Sequence, residues 1–455
     1  MESGISLRDE LKDTLRLAWP LVLNQVGTMS MAMVDTLVAG HISTVALAGL
    51  GLAANFYWTL AGVCAGCLLA FDTYFSQAVG AKDEARLGQF LGQSIWACGL
   101  LSVLAAAAIF GGHLLYVSLA AASPAKTAFA IYIHNIIWCL PAVFFYFTLQ
   151  RYWQARRHVL PFTVIILAGN ILNLFGCLAF GLGKWGFPRL EIKGIAMSTL
   201  MSRYAMLAAA IAYTAWKLKL IRLNVPRLDW LLQRQIFKLG FPAAMHIGLE
   251  VGAFGLATFI VAALGAASLA AHHVSLMLAS FTFMFPLGFS SAAAVRVGTF
   301  VGAGQMVRAR LAGWLCIGLS MTVMSFFALG YLVFRRPLLG LFTQDPAVID
   351  VGASLLILVG LFQIADGTQV STTGALRGIG NTRAAMIANL IGHYPIGLTL
   401  GLILCFGFGF GAVGIWGGLS LGLVVVAVIL VRFWIRLTRH PETFRPIDSK
   451  RAVVQ

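Results

Sequence analysis

The sequence predicts an all-α polytopic membrane protein with twelve transmembrane helices in two six-helix bundles. Its 455 residues are 60% hydrophobic and only 11% charged, and its mean hydropathy is +0.87, which is more apolar than a soluble globular domain. Twelve apolar stretches have about the length, ~20 residues, that a helix needs to cross a bilayer. In chain order they cover 15–39, 50–77, 92–112, 127–150, 160–181, 191–216, 237–260, 268–295, 312–334, 350–374, 384–406 and 411–435.

The basic residues indicate how these spans are oriented. The net charge is +16, and with the amino terminus in the cytoplasm 25 of the 32 Lys and Arg residues fall in cytoplasmic segments and six in outer ones. Basic residues at the ends of spans are counted here with the adjoining segment, and the remaining one, Arg203, lies well inside a span. This asymmetry follows the positive-inside rule, so the basicity reports topology and excludes a nucleic acid partner. It predicts a multi-pass protein of a bacterial-type inner membrane with both termini cytoplasmic.

The twelve spans consist of two copies of one six-span unit. A shift of 222 residues places Leu15–Pro20 on Phe237–Pro242 and Val79–Ala81 on Val301–Ala303. Because six is an even number, both copies enter the membrane in the same direction. The two bundles are therefore expected to be related by a pseudo-two-fold axis along the membrane normal.

The repeat divides the chain into four predicted parts. The segment between the copies interleaves basic with apolar residues, a pattern typical of an amphipathic helix that contacts membrane lipid at the cytoplasmic interface; an ordinary basic loop is the alternative. The predicted parts are an amino-terminal bundle at 1–216, this connector at 217–236, a carboxy-terminal bundle at 237–440 and a cytoplasmic tail at 441–455.

The seventh span contains an acid close to its centre. Phe237–Ile260 is long enough to cross a bilayer, and Glu250 lies roughly 18 Å beyond Lys238 by helical rise. An acid at that depth costs about 2.5–3.5 kcal/mol even on a lenient insertion scale. Glu250 therefore requires a partner, a bound cation, a water-filled cavity or a proton. The candidate roles are an ion or proton site and an interhelical polar clamp.

Asp366, in the tenth span, lies near the same depth, ~16 Å from Arg377 by helical rise. Two acids that lie close together in a low dielectric cannot both stay ionised without a counter-charge. If Asp366 and Glu250 meet, they can hold Na⁺ or a proton, whereas a lone Asp366 would only hydrogen-bond a neighbouring helix. Hydroxyl groups nearby could complete an oxygen shell for a hard cation; they belong to Thr368, Ser371 and Thr372.

The first copy has one acid deep in a span, Asp35, in the outer half of span 1. It is a candidate protonation site or contact for a cationic ligand, with helix packing as the alternative. Arg203 is expected to pair with a buried acid or with carbonyl groups. Asp72, near the cytoplasmic end of span 2, is expected to be solvated.

These acids do not recur between the two copies. A structural requirement of the scaffold would tend to appear twice, so the asymmetry favours specialised sites. At the repeat offsets, Asp35, Glu250 and Asp366 align with Ala257, Thr28 and Tyr146.

Other patterns restrict the chemistry. Met277, Phe281 and Phe285 form a stripe at helical spacing, a candidate lining for a substrate cavity because such side chains suit promiscuous apolar pockets; core or lipid-facing packing is the alternative. No phosphate-binding loop or nucleophile motif occurs, and all seven cysteines fall within spans. The sequence therefore predicts no enzyme, no cofactor, and no metal beyond Na⁺ at Glu250 and Asp366.

Four segments, taken together, resemble the multidrug and toxic compound extrusion (MATE) transporters of the NorM type. The resemblance covers essentially the whole chain and its doubled six-helix plan. The segments are Met33–Gly40, Pro242–Glu250, Gln363–Asp366 and Gly374–Arg383.

This resemblance implies two bundles in a V around a central cavity, in a monomer that exports hydrophobic, often cationic compounds in exchange for Na⁺ or H⁺ by alternating access. In NorM-like proteins the acids that match Glu250 and Asp366 belong to the cation site of the second bundle, and the acid that matches Asp35 lies in the first. The transported ion is then the coupling ion rather than a cofactor.

Two other classes of membrane protein fit part of the pattern. A lipid-linked-precursor flippase of the same superfamily would also be doubled, but would favour several intramembrane cations for pyrophosphate, whereas Arg203 is the one mid-span base. A proton-translocating respiratory subunit would show buried Lys and His in relay, whereas no Lys lies mid-span and the nine His are scattered.

Overall fold

The computed structural model describes residues 6–119, 123–219 and 226–439, and within these ranges the chain is helical without a strand. The predicted tail at 441–455 and part of the connector, 220–225, lie outside the described residues. The helices are α1 (Leu7–Ile42), α2 (Thr44–Leu68), α3 (Ala70–Gly80), α4 (Glu84–Leu119), α5 (Pro124–Ile136), α6 (Cys139–Ala155), α7 (Leu160–Gly176), α8 (Glu191–Leu218), α9 (Trp230–Ala262), α10 (Ala266–Gly302), α11 (Met306–Gly340), α12 (Pro346–Gly378), α13 (Arg383–Ile391), α14 (Thr399–Leu402) and α15 (Gly411–Arg439).

Short irregular helices interrupt or follow some of these elements. Three are π-helical, Cys177–Gly181, Gly392–Leu398 and Ile403–Gly407, and one is a 3₁₀ turn, Lys184–Gly186. A π-helical turn inserts an extra residue into the helical ladder and is frequent at functional sites. Two of the three carry hydrogen-bond donors to the helices that hold buried acids: Cys177 donates to Asp35 and Tyr394 to the carbonyl oxygen of Leu249.

The helices account for the predicted membrane spans. Eleven, over the described residues, are long and apolar enough to cross a membrane, and the pair α5 and α6, bent by 50°, gives a twelfth when it is counted as one span. The break, at residues 137 and 138, is followed by Pro141 in the first turn of α6, whose ring nitrogen cannot donate the hydrogen bond that a continuous helix would make to the carbonyl oxygen of Ile137. The prediction of an all-α membrane protein with twelve spans is confirmed.

Internal packing divides the chain into two compact units. The first contains the described parts of Met1–Val22, Asp72–Lys82 and Lys238–Gln455, and the second contains Leu23–Phe71 and Asp83–Phe237. Helix α1 thus begins in the first unit and continues in the second. The division into bundles at 1–216 and 237–440 stays a prediction.

Helix α12 lies at the centre of the first unit, where it packs against α10, α11 and α15. Close approach to α10 depends on Gly374, because a Cβ at that position would lie 2.1 Å from the carbonyl oxygen of Ser290. Glycine is the residue that permits such backbone contact. This packing fixes the depth and direction of the polar side chains on α12.

Ion pairs are buried at one end of the first unit. Arg308 Nε donates to Glu10 Oε1 at 3.0 Å, and Arg296 binds both the carboxylate of Glu10 and, at 3.0 Å, its backbone carbonyl. Asp72, which was expected to be solvated, is only 1% exposed, and its Oδ2 lies 3.0 Å from Arg377 Nε. That expectation was wrong because the fold brings Arg377, 305 positions along the chain, against it.

In the second unit, helix α8 packs against α5, α6 and α7. Its contact with the π-helical segment Cys177–Gly181 is tight, since a Cβ on Gly194 would lie 2.2 Å from the carbonyl oxygen of Phe180. These contacts bring polar side chains of α7 and α8 to the same depth as Asp35 on α1.

Candidate functional site

Glu250 on α9 and Asp366 on α12 are joined by one amide group. Gln369 Nε2 donates to Glu250 Oε1 at 2.9 Å and to Asp366 Oδ1 at 3.2 Å. Because both distances are measured to the same nitrogen, the two carboxylate oxygens lie no more than about 6 Å apart, a range in which like charges disfavour each other's ionisation. The structure therefore brings the two acids together, as their common depth permitted.

This acidic pair has little positive charge beside it. The one charged or titratable side chain near enough to pair with either acid, across 6–119, 123–219 and 226–439, is His246, whose Nε2 lies 3.6 Å from Glu250 Oε2. That separation is beyond hydrogen-bond length, and Nε2 has no hydrogen-bond partner. No Lys or Arg forms a salt bridge with either acid in the described chain. A desolvated pair of carboxylates without a Lys or Arg partner can be neutralised by a mobile cation or by a proton.

The hydroxyl groups that were expected near Asp366 behave differently from one another. Thr368 and Thr372 donate to carbonyl groups of their own helix, at 2.7 and 2.6 Å. Ser371 Oγ is buried without a hydrogen-bond partner. In the described part of the chain no three His, Cys, Asp or Glu side chains converge on a point where a metal ion could be held. An oxygen shell for Na⁺ at Glu250 and Asp366 stays a prediction.

The helix that carries Glu250 is held by groups from two other elements. Tyr394, in the π-helical segment Gly392–Leu398, donates its hydroxyl to the carbonyl oxygen of Leu249 at 3.2 Å. Further along α9, Thr258 Oγ1 lies 2.8 Å from His272 Nε2, and Trp416 Nε1 donates to His272 Nδ1 at 3.0 Å. Three helices, α9, α10 and α15, thereby share one polar network.

Asp35, in the second unit, is enclosed by donors that carry no charge. Its Oδ2 accepts from Thr199 Oγ1 at 2.7 Å and from Tyr132 Oη at 3.4 Å. Its Oδ1 accepts from Asn173 Nδ2 at 3.1 Å and from Cys177 Sγ at 3.4 Å. The donors come from α5, α7, the following π-helical segment and α8, so four elements converge on one carboxylate that is 4% exposed. Hydrogen bonds of this kind stabilise the ionised form more than the neutral one.

Arg203 does not have the partner that was expected for it. In the described residues it forms no salt bridge or hydrogen bond, and its Nε is buried and unpaired. Its guanidinium group lies over the ring of Trp58, 5.3 Å from the centroid. The expected pairing with an acid or with carbonyl groups was wrong, because Asp35, the acid deep in a span of this unit, accepts instead from four neutral donors.

The predicted apolar stripe lies along one side of α10. Met277 and Phe281 are exposed, while Phe285 packs against Phe327 with ring centroids 4.8 Å apart. Exposure of this kind suits a cavity wall or a lipid-facing surface equally well. The assignment of these residues to a substrate cavity stays a prediction.

Sequence reasoning identified the acids and missed the groups that hold them. Gln369 follows Asp366 by three positions, which places both on one helix face, so this spacing was an available signal. Polar residues inside apolar spans were the corresponding signal for Asn173 and Thr199. Nothing in the sequence pairs these two with Asp35.

Comparisons with known proteins show which family the chain resembles over most of its length. A sequence model of the MatE family matches residues 20–178 and 242–403, two ranges that begin 222 residues apart, the offset of the internal repeat. The chain is 31% identical over 443 residues to a probable multidrug resistance protein NorM of Mesorhizobium japonicum, covering 95% of both chains. It is 32% identical over 430 residues to a protein of the same name from Pseudomonas putida, covering 92% of this chain and 93% of the other.

Among solved structures, the fold is similar to that of the eukaryotic MATE transporter AtDTX14. The TM-score is 0.86 at 21% sequence identity, and the match covers 96% of this chain and 98% of the other. At that identity the likeness concerns the fold alone.

Proposed function

The chain belongs to the MatE family, and on that premise we propose that it is a secondary active multidrug efflux antiporter of the bacterial inner membrane. It is a transporter and not an enzyme. We propose that it exports hydrophobic, often cationic compounds in exchange for Na⁺ or H⁺, with Glu250, Asp366 and Asp35 as the groups that respond to the coupling ion. The observation that carries this proposal is the pair of buried carboxylates bridged by Gln369, to which no Lys or Arg of the described residues forms a salt bridge.

The acidic pair supplies the coupling step. With both carboxylates ionised, the pair is costly to keep away from water and attracts positive charge; a bound Na⁺ or proton removes part of that cost. A conformation that buries the pair is then favoured when the ion is bound, and a conformation open to water when the ion has left. The ion can drive transport only because it binds one conformation more tightly than the other.

The electrochemical gradient of the coupling ion is adequate for this work. One net elementary charge that enters across 100 mV gains about 2.3 kcal/mol, which corresponds to roughly a fiftyfold concentration ratio of an uncharged exported compound. A one-for-one exchange with a monovalent cationic compound moves no net charge, so that exchange is driven by the concentration gradient of the ion. Export and ion entry occur by alternating access, so the acidic site faces one side of the membrane at a time.

The remaining parts of the proposal concern assembly and substrate contact. The protein works as a monomer with both termini in the cytoplasm. The exported compound contacts Met277, Phe281 and Phe285.

Removal of the bridging amide tests whether the two acids act as one site. Gln369→Leu deletes an N–H group that competes with the coupling cation for both carboxylates. A hydrogen bond to a charged group contributes about 1.5–3 kcal/mol, so the cation concentration for half-maximal efflux should fall about tenfold or more. The measurement is dye efflux as a function of sodium and of pH.

Gln363→Leu is the matched control, because Gln363 is a buried glutamine of the same helix whose amide donates to Thr282 Oγ1 at 2.7 Å. This variant should leave the half-maximal concentration unchanged. Equal shifts in the two variants would argue against a shared site at Glu250 and Asp366.

Transport in proteoliposomes tests the proposed function as a whole. The purified protein is reconstituted with a lipophilic cationic dye, and sodium and pH gradients are imposed separately. We expect dye movement against its gradient when at least one of the two gradients is present, and only passive equilibration without them. Dye movement that neither gradient affects would contradict the antiport mechanism.

A further inference from the structure

A hydrogen-bond network near the carboxy-terminal end of α9 supports an inference that rests on the proposed function and deepens it. Its members are Trp416 on α15, His272 on α10 and Thr258 on α9, and the side chains of Trp416 and His272 are completely buried. Trp416 Nε1 donates to His272 Nδ1 at 3.0 Å, and His272 Nε2 lies 2.8 Å from Thr258 Oγ1. One imidazole therefore joins three helices of the first unit.

The chemistry of the donors fixes the state of this imidazole. An indole N–H can only donate, so Nδ1 of His272 must carry a lone pair and accept. In a neutral imidazole the other nitrogen then carries the proton, so Nε2–H donates to Thr258 Oγ1. The hydroxyl of Thr258 in turn donates to the carbonyl oxygen of Phe254 at 2.9 Å. A second proton, on Nδ1, would face the indole N–H donor against donor, so this network holds the neutral ring in one tautomer.

The direction of the hydrogen bonds excludes a proton relay. The chain of donors ends on the backbone carbonyl of Phe254, which has no proton to pass on, so the network cannot deliver a proton to Glu250. It holds the helix instead. Phe254 and Thr258 follow Glu250 by four and eight residues, which places all three on one face of α9. Because Thr258 is bonded to α10 and through it to α15, the rotation of the face that carries Glu250 is fixed.

This rotation decides how Glu250 meets its partner. Glu250 Oε1 accepts from Gln369 Nε2 at 2.9 Å, and the same nitrogen reaches Asp366 Oδ1 at 3.2 Å. A shift of α9 by about 1 Å would take the first of these bonds out of hydrogen-bond range. Tyr394 also holds α9, at the carbonyl oxygen of Leu249, and the network at Thr258 supplies the second point of attachment that fixes the direction of the helix.

From these contacts we propose that His272 is a positioning residue for the coupling site. Held by Trp416 in the Nε2–H tautomer, it keeps α9 in the orientation in which Glu250 shares the amide of Gln369 with Asp366. His272 acts through Thr258 and does not contact the coupling ion. A site that is already held in its binding geometry needs less reorganisation when the ion arrives, so loss of the network weakens ion binding although no charged group is removed.

A pair of tryptophan variants on α15 tests this role. Trp416→Phe removes the N–H that selects the tautomer and keeps an aromatic ring in place. Trp434→Phe is the matched control, because Trp434 lies on the same helix, is equally buried, and makes no hydrogen bond through Nε1 with any residue that the structure describes.

The first measurement is the infrared spectrum of the purified full-length proteins. The carboxyl band of Glu250 is identified in each background as the band that Glu250→Gln removes, and its frequency depends on the hydrogen bond from Gln369. This band should shift in Trp416→Phe and stay at the wild-type frequency in Trp434→Phe. No shift in Trp416→Phe, or the same shift in both variants, would overturn the positioning role.

The second measurement is dye efflux as a function of sodium and of pH. Trp416→Phe should raise the concentration of the coupling ion for half-maximal efflux about threefold or more, and Trp434→Phe should leave it unchanged. A purely structural role would lower the amount of protein and the maximal rate without moving this concentration. An unchanged concentration in Trp416→Phe would therefore overturn the proposal, whatever happens to the maximal rate.

Thr258 offers a test that alters neither ring. Thr258→Val removes the hydroxyl and keeps the branched shape, whereas Thr258→Ser keeps the hydroxyl. Thr258→Val should reproduce both effects of Trp416→Phe, and Thr258→Ser should resemble the wild type; equal behaviour of the two would overturn the proposal. The infrared result does not depend on antiport. Wild-type efflux that responds to neither gradient would contradict the proposed function, while the band shifts would still decide the role of His272.

Discussion

Glu250→Gln should abolish coupled efflux, lowering gradient-driven dye export by about a hundredfold, while the protein folds and inserts normally. The substitution keeps the shape of the side chain, and its carbonyl oxygen can still accept from Gln369 Nε2. It removes the charge that attracts the coupling ion, so ion binding no longer distinguishes one conformation from another. Because an uncharged amide is cheaper to bury than a carboxylate, stability should be preserved or improved.

The measurement is efflux of a lipophilic cationic dye from energised cells, together with thermal unfolding of the purified protein. Glu191→Gln is the matched control, since the side chain of Glu191 is 58% exposed and the change in charge is the same. Retention of the wild-type efflux rate by Glu250→Gln would refute the role of Glu250. Loss of efflux in the control as well would point to a general effect of net charge.

Asp35→Asn should lower coupled efflux by about tenfold or more. This substitution lies in the second unit, whereas Glu250 lies in the first. The carboxylate of Asp35 gathers donors from four elements, and those hydrogen bonds depend on its negative charge. An asparagine places an N–H group where one of the oxygens accepted, which leaves Thr199 and Tyr132, or Asn173 and Cys177, without their acceptor. The second unit would then be held in the arrangement that it adopts when the acid is neutral.

Efflux and expression level are measured side by side for this variant. Asp350→Asn is the control, because Asp350 is 63% exposed and pairs with Arg336 at 2.9 Å; it should transport normally. Normal efflux by Asp35→Asn would assign Asp35 to helix packing. A large loss of protein from the membrane would have the same meaning, since it would show that the network serves folding.

The two predictions concern units whose buried charged groups differ. Around Glu250 and Asp366 the first unit has two acids, one shared amide and the imidazole of His246, and no Lys or Arg of its described residues forms a salt bridge with either acid. Around Asp35 and Arg203 the second has one acid that is surrounded by neutral donors and one arginine without an acceptor. The two copies of the repeat therefore share their helices but not their buried charged groups. The sequence already indicated this, because Asp35, Glu250 and Asp366 align with Ala257, Thr28 and Tyr146.

The sequence by itself determined the number of spans and the repeat, and it predicts the direction of the chain and the depth of the acids. These properties depend on local quantities: the length of an apolar run, the side of the membrane on which basic residues accumulate, and the rise per residue of a helix. Even the bend between α5 and α6 has a local cause in Pro141. Glu250, Asp366 and Asp35 were identified because an acid inside an apolar span is energetically costly to bury.

Only the tertiary structure decided which groups meet those acids. Tyr132 and Thr199 reach Asp35 across 97 and 164 positions, Gln369 reaches Glu250 across 119, and Asp72 is buried against Arg377 rather than solvated. Such contacts depend on the rotation and register of packed helices, which the apolar pattern leaves free within a membrane because lipid and protein interior are similarly apolar. For the same reason, the lack of a partner at Arg203 became visible only in the folded chain.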